Sequence, residues 1–166
     1  MCIKKSYKPL TSVIVLSLII ILCQVQPVIS EGGTWRILGS LNSGRAATAC
    51  CELDGKIYIM GGWTKSTYPN AVRTVEVYDA KNGTGPYVST ELPEPRSGAS
   101  ACALNGKIYL IVGRLGDLGD AHKENVFVFD PVTRQWSEKA PLPTAKSFSC
   151  AVVVDGKIYT IGGRSN

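Results

Sequence analysis

One five-residue segment, Asp54-Gly55-Lys56-Ile57-Tyr58, returns as Asn105-Gly106-Lys107-Ile108-Tyr109 and again as Asp155-Gly156-Lys157-Ile158-Tyr159, at intervals of 51 and 50 residues. Asp-Gly and Asn-Gly are the preferred pairs for two-residue hairpin turns, because both positions can take positive φ. Apolar or alternating runs flank each pair, such as Cys102-Ala103-Leu104 before and Ile108-Tyr109-Leu110-Ile111 after. Each unit is therefore predicted to carry a β-hairpin. A period near fifty residues restricts the chain to repeat architectures, in which each unit buries its apolar faces on its neighbours.

The flanks recur in the same order. Arg45, Arg96 and Lys146 stand nine residues before each turn, and Leu41, Leu92 and Leu142 four residues before those. Gly61-Gly62, Val112-Gly113 and Gly162-Gly163 follow the second strand of the hairpins. Glycines there predict positive φ or close backbone approach. Val75-Glu76-Val77-Tyr78 and Val126-Phe127-Val128-Phe129 supply a third strand, and segments around Tyr87 and Trp136 a fourth. Tyr87 is placed where the second unit has Trp136, after a two-residue insertion. No helical periodicity is evident beyond the first thirty residues.

Four antiparallel strands per unit, a Gly doublet, then Tyr-Asp, then Trp: residues 34–166 resemble the kelch β-propeller family. Val112 in place of the first Gly and Tyr87 in place of Trp depart from the pattern. The resemblance implies an all-β, partial propeller of four-stranded blades, with units at about 45–91, 96–140 and a partial 146–166. Thr34-Trp35-Arg36-Ile37 is expected to be a lone outer strand. In this family such a strand commonly closes the ring. Eleven strands result, two complete blades and parts of others, where closed propellers have typically four to eight blades. Exposed blade faces are thus predicted, and they invite self-association. A truncated copy of a longer kelch protein, a self-assembling arc and a persistent open arc are the alternatives.

Residues 1–30 read separately, as a signal peptide. Lys4, Lys5 and Lys8 precede the apolar run Val13–Cys23, and Val28 and Ser30 suit a cleavage site before Glu31. The run is shorter than the ~20 apolar residues that span a bilayer. Export to the extracellular space, secretory pathway or periplasm is expected, with an uncleaved membrane anchor as the alternative. The leader holds three of the 18 basic residues and none of the 13 acidic ones, so the net charge of +5 falls to +2 without it. Nothing in that balance calls for nucleic acid. Cys50, Cys51, Cys102 and Cys150 match no zinc spacing and read as small buried strand residues, although export permits disulfides.

Strand alternation puts the loops joining the second and third strands on one face, with the links between units. Arg45, Arg96 and Lys146 begin each first strand on that face. Two roles fit them: a positive ring at the channel mouth, or ties to backbone carbonyls. The kelch resemblance implies recognition of an acidic peptide or protein partner by such arginines. Trp63 and Tyr68, in the first long loop, and Arg114, opening the second, join the candidate binding set. Asn82-Gly83-Thr84 is a sequon for N-glycosylation at Asn82. The segment Gly116–Glu124 has oxygen ligands and His122 but lacks calcium-loop spacing. No catalytic residue, metal or cofactor is predicted, and enzymatic activity is less expected than binding. The enzyme alternative is a carbohydrate-active propeller of the sialic-acid mutarotase type.

Overall fold

The computed structural model describes residues 37, 39–116 and 122–165. The predicted leader and the Trp35 strand lie outside them. Contacts divide the chain into Met1–Arg36 and Ile37–Asn166, and the description concerns the second unit.

Twelve strands and no helix are present among the described residues. They are β1 (Arg45–Ala46), β2 (Ala49–Leu53), β3 (Lys56–Met60), β4 (Trp63–Thr64), β5 (Thr74–Asp79), β6 (Thr84–Glu91), β7 (Ser100–Leu104), β8 (Lys107–Arg114), β9 (His122–Asp130), β10 (Gln135–Lys139), β11 (Ser147–Val154) and β12 (Lys157–Arg164). Two four-stranded antiparallel blades form, β2-β3-β5-β6 and β7-β8-β9-β10, followed by the two-stranded sheet β11-β12. The two-residue strands β1 and β4 pair with each other beside the first blade, an addition to the expected count.

The predicted turns have the predicted geometry. Asp54-Gly55, Asn105-Gly106 and Asp155-Gly156 all take positive φ at both positions, between 49° and 78°. The Gly doublets also take positive φ, between 64° and 92°. Val112 takes φ 55° at a place where the other units have Gly, and its buried side chain packs in the second core cluster. Gly61 shows why glycine suits this place: an added Cβ would lie 2.2 Å from the Arg96 carbonyl.

The innermost strands β2, β7 and β11 pack side by side, so the sheets stack as neighbouring blades. Cys51, Leu53, Tyr58 and Met60 on the forward face of blade 1 meet Ala101, Ala103, Ile108, Leu110, Phe127 and Phe129 on the rear face of blade 2. Cys102, Tyr109 and Ile111 on blade 2 meet Ala151 and Ile158 of the third sheet in the same way. Backbone bonds seal the seams: Gly62 N donates to Arg96 O at 2.7 Å and Gly113 N to Lys146 O at 2.8 Å.

Two expectations are corrected. Trp136 lies opposite Phe129 and packs on it, with ring centroids 5.0 Å apart. Tyr87 instead lies opposite Val77, because register shifts between β5 and β6 turn it to the other face. It lines a crevice of about 210 Å³ with Tyr58, Phe129 and Arg134 between the two blades. The cysteines also divide: Cys102 is buried and Cys51 half-buried, but Cys50 and Cys150 are exposed, for each points from a sheet face that no described neighbour covers.

Candidate mouth-face site

The first-strand cations are built into their own sheets. Arg45 Nη1 donates to Gly61 O (3.2 Å), Thr74 O (3.3 Å) and Thr74 Oγ1 (2.8 Å), and Nη2 pairs with Glu76. The side chains of that pair are 4% and 0% exposed. Asn42 N adds a bond to the second Glu76 oxygen at 3.0 Å. A buried carboxylate needs such partners, since an unpaired buried charge is costly. Arg96 is 1% exposed. Its Nη1 contacts Glu94 (3.0 Å) and Pro95 O (3.3 Å), Nη2 reaches Asn125 Oδ1 (3.4 Å), and Cζ sits 5.4 Å over the Phe127 ring. Burial pulls its pKa down while Glu94 holds it up. Neither guanidinium stands open at a mouth. Of the two roles read from the sequence, their bonds are those of ties, made within each blade rather than between blades. Lys146 is half-buried, with Nζ 3.5 Å from Gly162 O, the counterpart of the Arg45–Gly61 bond.

Arg114 makes a ring contact across a seam. Its guanidinium lies 4.9 Å over the ring of Phe148, an aromatic that is 50% exposed and has φ 57°. Ala47 and Gly98 hold the same place in their units, also with positive φ. Only the glycine signalled that kink in the sequence. His122 is opposite Arg114 in the β8–β9 ladder, and Arg164 opposite Ser147 in the β11–β12 ladder. Lys123 bridges to Lys146. Burial, then Arg114 and Arg164, lower the His122 pKa. The shift favours the neutral ring beside several cations. Next to the Lys123–Lys146 bridge, His122 Nδ1 and Ser147 Oγ are buried without a hydrogen-bond partner among the described residues. Residues 117–121 of this loop, including Asp117 and Asp120 of the metal reading, lie outside the described residues. Among those described, no group of three metal-ligating side chains gathers.

Trp63 and Tyr68 form an edge-to-face pair with centroids 4.8 Å apart, Tyr68 45% exposed. Their loop is held by Thr67 Oγ1, which accepts from Thr64 N at 2.9 Å. Beside it is a cleft of about 500 Å³ lined by Ser43, Gly44, Thr64, Lys65 and Ser66. The two long loops are stitched together, with Ala71 N donating to Leu115 O at 2.9 Å and Asn70 bridging to Gly116. They share one face, the mouth face. On the other, Asn82 is exposed in the β5–β6 turn, where its Nδ2 donates to Asp79 at 2.9 Å. Bonds from the Asn82 backbone lower the Asp79 pKa.

Phe148 and Arg164 were not foreseen as site residues, and His122 was weighed only as a cation ligand. They come from three strand ends, and their proximity depends on how the third sheet stacks on blade 2.

Comparison with known proteins is consistent with this architecture. A solved structure titled "Structure of YjhT" superposes with a TM-score of 0.64 at 18% identity, covering 76% of this chain and 36% of that one. Beta-scruin of Limulus polyphemus is 30% identical over 136 residues, 79% of this chain and 14% of its own length. Kelch-like protein 35 of Mus musculus is 31% identical over 134 residues, 81% of this chain and 22% of its own. Kelch-like ECH-associated protein 1A of Danio rerio is 33% identical over 108 residues, 64% and 17% respectively. The chain thus spans less than a quarter of these curated relatives. A family model described as the KLHDC2/KLHL20/DRC7 Kelch-repeats domain matches residues 29–163. With four-stranded blades, a fifty-residue period and that match over most of its length, the chain belongs to the kelch-repeat family.

Proposed function

We propose that this chain is an exported recognition module that grips an acidic segment of a protein partner on its mouth face, between blade 2 and the third sheet. The observation that carries the reading is the Arg114 guanidinium held over the half-exposed Phe148 ring, with Lys146 and Arg164 on neighbouring strand ends. A planar guanidinium on an aromatic platform is oriented for bidentate bonding to a carboxylate. His122 Nδ1 and Ser147 Oγ supply unpaired polar atoms nearby. Leaving such an atom unmade costs about 1–3 kcal/mol, part of which a hydrogen-bonding ligand recovers. Lys4, Lys5 and Lys8 with the apolar run behind them support export.

The test is titration of the full chain with a fluorescent oligoglutamate peptide. The double variant Arg114→Glu/Phe148→Ala weakens binding at least tenfold, and raising salt weakens wild-type binding. Equal affinity in the two proteins would refute the reading. Export is checked by N-terminal sequencing of protein recovered from the medium, which begins at Glu31.

The Trp63–Tyr68 pair beside the hydroxyl-lined cleft favours a second reading, a carbohydrate-active propeller of the sialic-acid mutarotase type. Faster interconversion of sialic acid anomers by proton NMR supports it. An unchanged rate removes it.

A further inference from the structure

Away from the mouth, the seam between blades 1 and 2 opens into the crevice of about 210 Å³. Lys56, Tyr58, Tyr87 and Ser89 of blade 1 line it, with Phe129, Pro131 and Arg134 of blade 2. Pairing within blade 1 assembles its half. Lys56 and Tyr58 follow the Asp54-Gly55 turn on one face of β3, and Tyr87 comes level with Tyr58 across Val77. Ser89 falls in the irregular register between Val75 and Glu76, and its carbonyl accepts from Arg134 Nη2 at 2.7 Å. That bond crosses the seam. The buried Tyr58 and Phe129 rings, with centroids 6.4 Å apart, form the floor, and the exposed Tyr87 ring and Pro131 the sides.

The lining holds two cations and no acid. The carboxylates closest in the chain are engaged elsewhere. Asp79 accepts from Lys81 N and Asn82 N at 3.0 Å and from Asn82 Nδ2 at 2.9 Å, and Asp130 pairs with Lys107 Nζ at 2.9 Å. Lys56 helps lower the Asp79 pKa but closes no ion pair among the described residues. The Tyr58 hydroxyl likewise has no hydrogen-bond partner among them. Burial, then Tyr87, hold the Tyr58 pKa above its usual value, so the hydroxyl keeps its proton at pH 7 and is a donor.

We propose that this crevice binds a small aromatic carboxylate, its ring against Tyr87 and Pro131 over the Tyr58–Phe129 floor and its carboxylate between Lys56 and Arg134. Size favours one ring: at ~30 Å³ per water the crevice has room for about seven waters, below the ~300–1,000 Å³ of drug-sized sites. The walls favour an aromatic one, because three aromatic side chains offer faces and edges for offset or edge-on packing. The charged end follows from two cations and a donor hydroxyl with no carboxylate among them. Lys56 and Arg134 come from different blades, so the ligand is gripped only where the seam is formed. It is a second site, on the face opposite Arg114 and Phe148.

Isothermal titration of the full chain with benzoate tests this, with cyclohexanecarboxylate and inorganic phosphate as comparison probes. Benzoate binds saturably, one per chain, and more tightly than either. Lys56→Gln and Arg134→Gln each raise its Kd about fivefold, and Tyr58→Phe, which removes only the unpartnered hydroxyl, does so to a similar extent. Arg134→Gln also loses the bond to Ser89. Should it fail to fold by circular dichroism, Lys56→Gln and Tyr58→Phe decide the matter. No saturable benzoate binding overturns the proposal, and so does wild-type affinity in Lys56→Gln or Tyr58→Phe. Cyclohexanecarboxylate or phosphate binding as tightly as benzoate overturns it too, since shape or charge alone would then suffice.

Discussion

Tyr58 and Tyr159 hold the same place in their repeats, yet one is 6% exposed and the other 45%. The first lies in the seam between blades 1 and 2, the second on the forward face of the third sheet. Both sit on well-formed hairpins closed by Asp-Gly with the same backbone twist. The hairpin is a local structure, set by two positive-φ residues and alternation along ten more. Burial is not local. It needs a second sheet at the right distance, and among the described residues one face has it while the other does not. The same contrast divides the cysteines. Burial, with smaller contributions from Cys50 and Cys102, pushes the Cys51 thiol up to about 12, whereas Cys150 is exposed.

The contrast can be broken most sharply by truncating one side chain on each face. Leu110→Ala in the seam is expected to cost about 2–5 kcal/mol, and Val154→Ala on the open face under about 0.5 kcal/mol. Urea denaturation monitored by tryptophan fluorescence measures both, and equal losses would show that the open face is covered. A backbone version gives smaller effects. Gly61→Ala meets the Arg96 carbonyl at 2.2 Å as well as the strain of positive φ, while at Gly162 nothing lies within 4 Å. The expected costs are about 3 kcal/mol for the first, and about 1 kcal/mol from the left-handed backbone alone for the second.

The smallest effect concerns pH. The His122 pKa in the folded chain lies below its usual 6.5, so between the two values the unfolded state binds more protons. Its contribution is complete above about pH 6.5 and declines as pH falls through that value toward the folded pKa. His122→Gln flattens this part of the stability profile between pH 7.5 and 5.5. Identical slopes in the two proteins would contradict the assignment.

Much of the fold was legible because its signals are short-range. Asp-Gly pairs, β-branched alternation and a constant period specify strands, turns and stacking order with no knowledge of what touches what. The candidate site was less legible. Arg45 and Arg96 look like a surface ring in a repeat alignment. They are interior because Glu76 lies 31 residues from Arg45 in the chain and Phe127 the same distance from Arg96, partners that only pairing within each blade brings close. Tyr87 reads as a stand-in for Trp136, but register shifts in β6 present it to the opposite face. Phe148 gave no sign of its positive φ, which belongs to the crossing of β11 over Gly98: Phe148 N donates to Gly98 O at 2.6 Å.

What the sequence determined by itself is the unit: a hairpin, a third and a fourth strand, and the period at which they return, since turn geometry and alternation are properties of neighbouring residues. What the tertiary structure alone decided is which cations are tied within a blade and which apolar faces the other described sheets cover. Both depend on desolvation, and desolvation is set by side chains that arrive from tens of residues away.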